Sequence, residues 1–207
     1  MRYQKSKACV KQSANAPHNR KRYTCDKIQK DKDINEKYLS EFLTTKKTTL
    51  IIMCGLPASG KNTWISDFLK KSSVDFTVVE LDEIRSEIFG HQFHRPAEHF
   101  VIGTAKSFAR LLLKQGKNVI INSTGLTGFI RNEWISMGEE YNCDIKIVWV
   151  KTSLRECLKR NRQRSKNKVV PNDVITSMSR IFQEPLNMSF LTYKNVNYYG
   201  KFLSLKP

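Results

Sequence analysis

The sequence predicts an α/β fold in which a central parallel sheet is covered by helices, and two features carry that expectation. From Thr48 onward, short apolar runs alternate with amphipathic stretches, the order expected of strand–helix–strand units. The first run, Leu50 to Cys54, leads into Gly55-Leu56-Pro57-Ala58-Ser59-Gly60-Lys61-Asn62-Thr63, where Gly-x-x-x-x-Gly-Lys opens a helical stretch. A phosphate-binding loop needs that order of parts. Its glycines let backbone N–H groups turn inward around an anion, the following helix adds partial positive charge, and the lysine adds a full one. The expected donors to a nucleotide are Gly55, Ala58, Ser59, Gly60, Lys61, Asn62 and Thr63. Asn62 stands where Ser or Thr would offer a hydroxyl to Mg²⁺, so its amide oxygen is the candidate metal group.

The remaining elements follow in order. Thr49 to Cys54 is the first strand, and a helix runs from Asn62 to Leu69. Phe76 to Leu81 reads as a second strand and Asp82 to Phe89 as a short helix. Glu98 to Lys114 carries apolar residues at helical spacing and ends in Gln115-Gly116. Lys117 to Asn122 is a third strand, Phe129 to Glu140 a helix, and Ile145 to Val150 a fourth strand read as a continuous apolar run. Ser153 to Gln163 is helical with an N-cap serine, and Pro171 to Phe182 begins with proline near a first turn. In the aromatic tail, Asn195 to Tyr199 or Lys201 to Leu205 supplies an edge strand. Trp64, Trp134 and Trp149 are expected in the core.

At 207 residues the chain has room for one sizeable core. Residues 48–207 are assigned to it, and residues 1–47 to a flexible basic extension, within which Asp33 to Leu43 reads as a short helix. Lys plus Arg number 36 against 19 Asp plus Glu, a formal charge of +17, which favours polyanionic partners. From Met1 to Cys25 there is no acidic residue, and seven cations are present. Such an arm tracks phosphates without sequence preference, or is a solvated leader; an organelle transit peptide would share its composition, but no amphipathic helix is evident. The cysteines at 9, 25, 54, 143 and 157 lack C-x-x-C spacing and are odd in number, so free thiols in a reducing, cytoplasmic compartment are expected. No run reaches transmembrane length and no signal-peptide core is present, which argues against a membrane protein.

In open α/β sheets, ligands bind beyond the carboxyl ends of the strands. Asp82 follows the second strand with Arg85 three residues on, so carboxylate and guanidinium share a helix face. The carboxylate suits a general base and the arginine a phosphoryl clamp; alone, the pair equally suits a helix cap with a surface ion pair. The third strand ends in Asn122-Ser123-Thr124-Gly125, all neutral, with Arg131 in the next helix. After the fourth strand, Arg160 and Arg164 sit four apart in a cation-rich segment that suits a lid over a triphosphate, or a solvated helix end. His91, His94 and His99 form H-x-x-H-x4-H without a cysteine or paired carboxylate to complete a metal site; the loop suits stacking on an acceptor base or a plain connector.

These residues resemble the 5′-hydroxyl polynucleotide kinases of the P-loop class, particularly the phage-type kinase domain. The resemblance covers roughly 49–185. It rests on Gly55 to Trp64 after a strand, Asp82-x-x-Arg85, Val119 to Gly125 with Arg131, and Lys159-Arg160-Asn161-x-x-Arg164 running into Val170-Pro171-Asn172-Asp173-Val174. It implies a three-layer P-loop NTPase/kinase fold with a basic lid, and transfer of the ATP γ-phosphate, with Mg²⁺, to the 5′-OH of DNA or RNA. Lys61 would hold the β- and γ-phosphates, Asp82 would activate the hydroxyl, and Arg85 would contact the acceptor phosphate. Arg164, with Arg160 behind it, would cover the donor, and Ser123 and Arg131 would lie on the acceptor side. Two positions depart from the family. Its loop carries Gly-Lys-Ser or Gly-Lys-Thr where this chain has Asn62, and it usually has an acidic residue near the third strand's end where this chain has Ser123, which is left to hydrogen-bond Arg85. The alternatives are a P-loop kinase for a small metabolite or tRNA, and a nucleotide-gated nucleic-acid-binding module. An oligomer or a repair or ligase partner is compatible with each.

Overall fold

A computed structural model describes residues 47–90, 95–185 and 196–198. The expected helix at 33–43, the basic arm, His91 and His94, and the alternative strand at 201–205 lie outside these residues.

The central strand owes its position to composition. β1, Thr49–Cys54, is buried along its whole length, as befits an apolar run covered on both faces. Its alternate side chains feed two cores. Leu50, Ile52 and Cys54 pack on one side with Ala105, Ala109 and Leu113 of α3 (Glu98–Lys114) and with Trp134, Ile135 and Met137 of α4 (Gly128–Glu140). Ile51 and Met53 pack on the other with Trp64, Ile65 and Phe68 of α1 (Lys61–Lys71). These are the three expected layers. The expected core tryptophans are buried as well.

The sheet is parallel with strand order β2-β3-β1-β4-β5. β2 is Phe76–Glu80, β3 Asn118–Asn122, β4 Asp144–Trp149 and β5 Val196–Tyr198. The last of these matches the first alternative read for the tail. Glu80 pairs in register with Asn122, and Cys54 with Trp149, so β2, β3, β1 and β4 end together. Their continuations form one rim: α2 (Leu81–Phe89) after β2, the phosphate loop after β1, and α5 (Leu154–Arg162) after β4. A third cluster, Leu56, Leu126, Cys157 and Ile175, seats α5 and α6 (Asn172–Ile181) on this rim.

β4 differs from its sequence reading in one respect. It starts at Asp144, and Lys146 is buried inside the supposed apolar run. The lysine Nζ lies 3.2 Å from Asp144 Oδ2, two residues away on the same face of the strand. Burial lowers the Lys146 pKa while Asp144 opposes that shift. Cys54, Cys143 and Cys157 are free, and no described helix is long and apolar enough to cross a membrane.

Candidate active site

The loop between β1 and α1 is built on positive φ angles. Gly55 has φ 147° and Gly60 φ 110°, backbone conformations that favour glycine. A Cβ at Gly55 would lie 2.9 Å from both Ser59 Oγ and the Val150 carbonyl oxygen. Ala58 adopts φ 59° without a glycine's freedom, so the loop holds backbone strain at its tip. The Lys61 ammonium folds back into the loop, donating to the carbonyls of Gly55 at 2.9 Å and Leu56 at 3.0 Å. Burial pushes its pKa down to about 8, against the attraction of Asp82 and with a small push from Arg164.

The segment after β4 grips this loop by its backbone. The Ser59 carbonyl accepts from Thr152 Oγ1 at 2.8 Å and from an Arg160 terminal nitrogen at 3.2 Å, while Arg160 Nε donates to Glu156 at 2.8 Å. α5 begins at its expected N-cap, Ser153, whose hydroxyl accepts from the Glu156 amide. It ends at Arg162: the Gln163 amide bonds to the Arg160 carbonyl and the Arg164 amide to that of Asn161, the short closing bonds of a last turn. Arg160 and Arg164 therefore do not share a helix face. Arg160 is tied to the loop, whereas the half-buried Arg164 guanidinium makes no hydrogen bond or ion pair among the described residues. Asn161, which sequence reasoning missed, is fully buried and clasps Val170 from both ends: its Nδ2 donates to the carbonyl at 2.6 Å and its Oδ1 accepts from the amide at 3.0 Å. That clasp closes the base of the cationic segment 162–169.

On the other side of the loop, α2 presents Asp82 and Arg85 as the i,i+3 spacing requires, and the two form an ion pair. The Asp82 side chain is 73% exposed, open to an incoming group. Arg85 is held from behind by Glu98 in the first turn of α3, with Nε donating to Oε1 at 2.5 Å and a terminal nitrogen to Oε2 at 2.9 Å. Hydrogen bonding to Glu98 raises the Arg85 pKa above the ordinary arginine value despite burial, with Asp82 adding to the effect. Glu98 was not among the sequence candidates. Nothing in its local pattern marks it, since only the packing of α3 against α2 brings it to Arg85.

Two candidates stand elsewhere than expected. Ser123 Oγ is buried without a hydrogen-bond partner among the described residues, and the Arg85 contact anticipated for it is made by Glu98. Arg131 is wholly buried, donating to the Gly125 carbonyl at 2.6 Å and lying 3.7 Å from Cys54 Sγ, so it has no surface on which to meet an acceptor. The cause is local: Gly125, at φ 51°, passes close over Cys54 and draws the guanidinium beneath the rim. Asn62 Oδ1 accepts from Asn122 Nδ2 at 3.2 Å, while Asn62 Nδ2 donates to Glu80 at 2.9 Å. His99 is exposed, and no group of three or more His, Cys, Asp or Glu residues suited to a metal occurs among the described residues.

Comparison with known proteins agrees with this geometry. The L-seryl-tRNA(Sec) kinase of Methanococcus maripaludis is 27% identical over 139 residues, covering 66% of this chain and 53% of that protein. The chain thus spans about half the length of this curated relative. A chain in the structure of the Pnkp1/Rnl/Hen1 RNA repair complex is similar at TM-score 0.59 and 25% identity, over 67% of this chain and 45% of that one. Chaetomium thermophilum Kti12, solved with ADP-AlF3, shares the fold at TM-score 0.54 and 16% identity, over 73% of this chain and 89% of that one. The AAA_33 family, described as an AAA domain, matches residues 50–185. With its phosphate loop and parallel sheet, the chain belongs to this family of P-loop proteins and has the P-loop kinase fold.

Proposed function

We propose that this chain is an ATP-dependent kinase that phosphorylates the 5′-hydroxyl end of a nucleic acid. The observation that carries the reading is an exposed Asp82 within electrostatic reach of Lys61, beside an arginine fixed by Glu98. Asp82 takes the proton of the attacking hydroxyl, and Arg85 holds the acceptor phosphate next to it. Lys61 leaves its loop carbonyls for the β- and γ-phosphates, and Arg164, unengaged, meets the same phosphates from the lid. Arg160 positions the loop by its grip on the Ser59 carbonyl. The Glu80 carboxylate, held by the Asn62 amide beside the phosphate loop, fits a hard cation that reaches the site with phosphates. Mg²⁺ held there would supply positive charge against the phosphates.

A polymeric acceptor is supported by the net charge of +17 and the acid-free stretch from Met1 to Cys25. The likeness to a Pnkp1 complex chain favours a nucleic-acid end, and the same complex motivates a repair or ligase partner. The likeness to the seryl-tRNA(Sec) kinase favours a second reading, in which the acceptor hydroxyl belongs to a charged tRNA. One panel separates them: radiolabelled ATP with 5′-OH DNA, 5′-OH RNA, a nucleoside and seryl-tRNA, each with and without Mg²⁺. Transfer to 5′-OH ends that disappears in Asp82→Ala supports the proposal. Transfer confined to seryl-tRNA or to the nucleoside, or undiminished in Asp82→Ala, overturns it.

A further inference from the structure

Asn62 occupies the position that commonly supplies a metal-facing hydroxyl, yet its amide is already committed on both sides. Glu80 can only accept a hydrogen bond when ionised, so the Asn62 amide nitrogen must face it. The Asn62 oxygen is thereby turned to Asn122, whose own amide donates at 3.2 Å. Rotating the amide by half a turn would set oxygen against carboxylate and NH₂ against NH₂. The chain Asn122→Asn62→Glu80 therefore has a fixed polarity, and it ends on a carboxylate at the carboxyl end of β2. Asn122 anchors the other end from a buried position.

Three carboxylates flank the loop. Asp82 is paired with Arg85 and Glu156 with Arg160, but Glu80 faces no cation among the described residues. Only its Oε1 is engaged there, by a neutral amide, so its charge and second oxygen are available. We propose that Glu80 supplies the charged protein oxygen to the divalent cation of a bound nucleotide, and that Asn62 is the bracket holding it there in place of a hydroxyl ligand. Magnesium sites of this kind take one or two carboxylates along with phosphates and retained water. The exchange is balanced in kind: a short neutral ligand at residue 62 is replaced by a longer amide that reaches past the end of β3 to a carboxylate at the end of β2.

This inference rests on the nucleotide-binding part of the function proposed above, and the test keeps the two apart. ADP is bound to the full chain in EDTA, and Mn²⁺ is then titrated into the metal-free ADP complex while free Mn²⁺ is counted by electron paramagnetic resonance. Glu80→Gln preserves the acceptor for the Asn62 amide but removes the charge. It is expected to weaken Mn²⁺ binding about tenfold or more while leaving ADP affinity in EDTA within about twofold of wild type. Glu83→Gln, an exposed acid one turn away, is expected to change neither. Mn²⁺ affinity within about twofold of wild type in Glu80→Gln would overturn the assignment to Glu80 alone. A wild-type chain that binds ADP neither in EDTA nor with Mn²⁺ would overturn this inference and the proposed function together.

Discussion

Glu98 grips Arg85 by two points, at 2.5 and 2.9 Å, leaving the third guanidinium nitrogen to Asp82. A planar fork held this way has little freedom to rotate, so the direction in which it would meet the phosphate of the proposed acceptor is set in advance. The pairing also places the first turn of α3 directly behind the proposed phosphate clamp.

Removing that support should affect the acceptor side alone. Glu98→Gln keeps the volume but loses the charge and one of the two accepting oxygens. With a 5′-OH oligonucleotide, the acceptor KM is expected to rise about tenfold, by analogy with the loss of a partner behind a ligand. The affinity for ADP should be unchanged, and equilibrium binding on the same preparation checks this.

Lys61 gives the site a pH dependence whose sign can be worked out. In the free chain burial lowers its pKa from 10.5 to about 8, whereas a bound phosphate would hold it charged. Above pH 8 nucleotide binding must therefore take up a proton. Metal-free ADP affinity is expected to be flat just below pH 8 and to fall above it, by up to about tenfold per pH unit. Calorimetry in buffers of different ionisation enthalpy would register the proton directly, and Lys61→Arg should abolish the dependence. For folding of the free chain the sign is opposite. Between pH 8 and 10.5 the unfolded lysine binds more protons than the folded one, so this group's contribution to stability rises with pH across that window.

Backbone strain in the loop makes a paired prediction. Gly55→Ala would drive a Cβ to within 2.9 Å of the Val150 carbonyl, so the loop and the end of β4 must part. A loss of roughly 2 kcal/mol is expected, seen as a lower denaturation midpoint. Ala58→Gly should act in the reverse sense, relieving a φ of 59° with a gain under about 1 kcal/mol. Urea titration of the two variants beside wild type measures both.

The layers were legible in the sequence because each depends on local periodicity. Leu50 to Cys54 could only be a buried strand, and α3 announces its inner face through Ala105, Ala109 and Leu113. The loop and the Asp82–Arg85 pair were legible because spacing alone brings their groups together. What escaped were partners joined across elements. Glu98 meets Arg85 only where α3 packs on α2, and Glu80 meets Asn62 only because β2 and β1 end at the same rim. Arg131 was misjudged for a related reason: a helical cation near a strand end reads as exposed until the close approach of Gly125 to Cys54 is known. Lys146 escaped as well, since a lysine within an apolar run gives no sign that Asp144 will follow it inward.

Asn161 makes the shape of the cationic segment 162–169 a matter of two hydrogen bonds. Its amide satisfies both the amide and the carbonyl of Val170, across a segment carrying Arg162, Arg164, Lys166 and Lys168. Like charges crowded into so short a loop repel, and this clasp opposes their spreading. Asn161→Ala leaves two backbone groups of Val170 unsatisfied and opens a gap beside the Cys157 and Ile175 cluster. A cost of about 2–3 kcal/mol is expected, enough to lower the melting temperature by roughly 5–10 °C in a chain of this size. If Arg164 acts on the donor nucleotide from this loop, ADP affinity must fall as well. That second loss should shrink at high salt, where screening weakens the guanidinium–phosphate attraction that the wild type retains. An Asn161→Ala chain that melts early yet binds ADP as tightly as wild type would separate the lid's fold from its function, and would exclude Arg164 from the donor site.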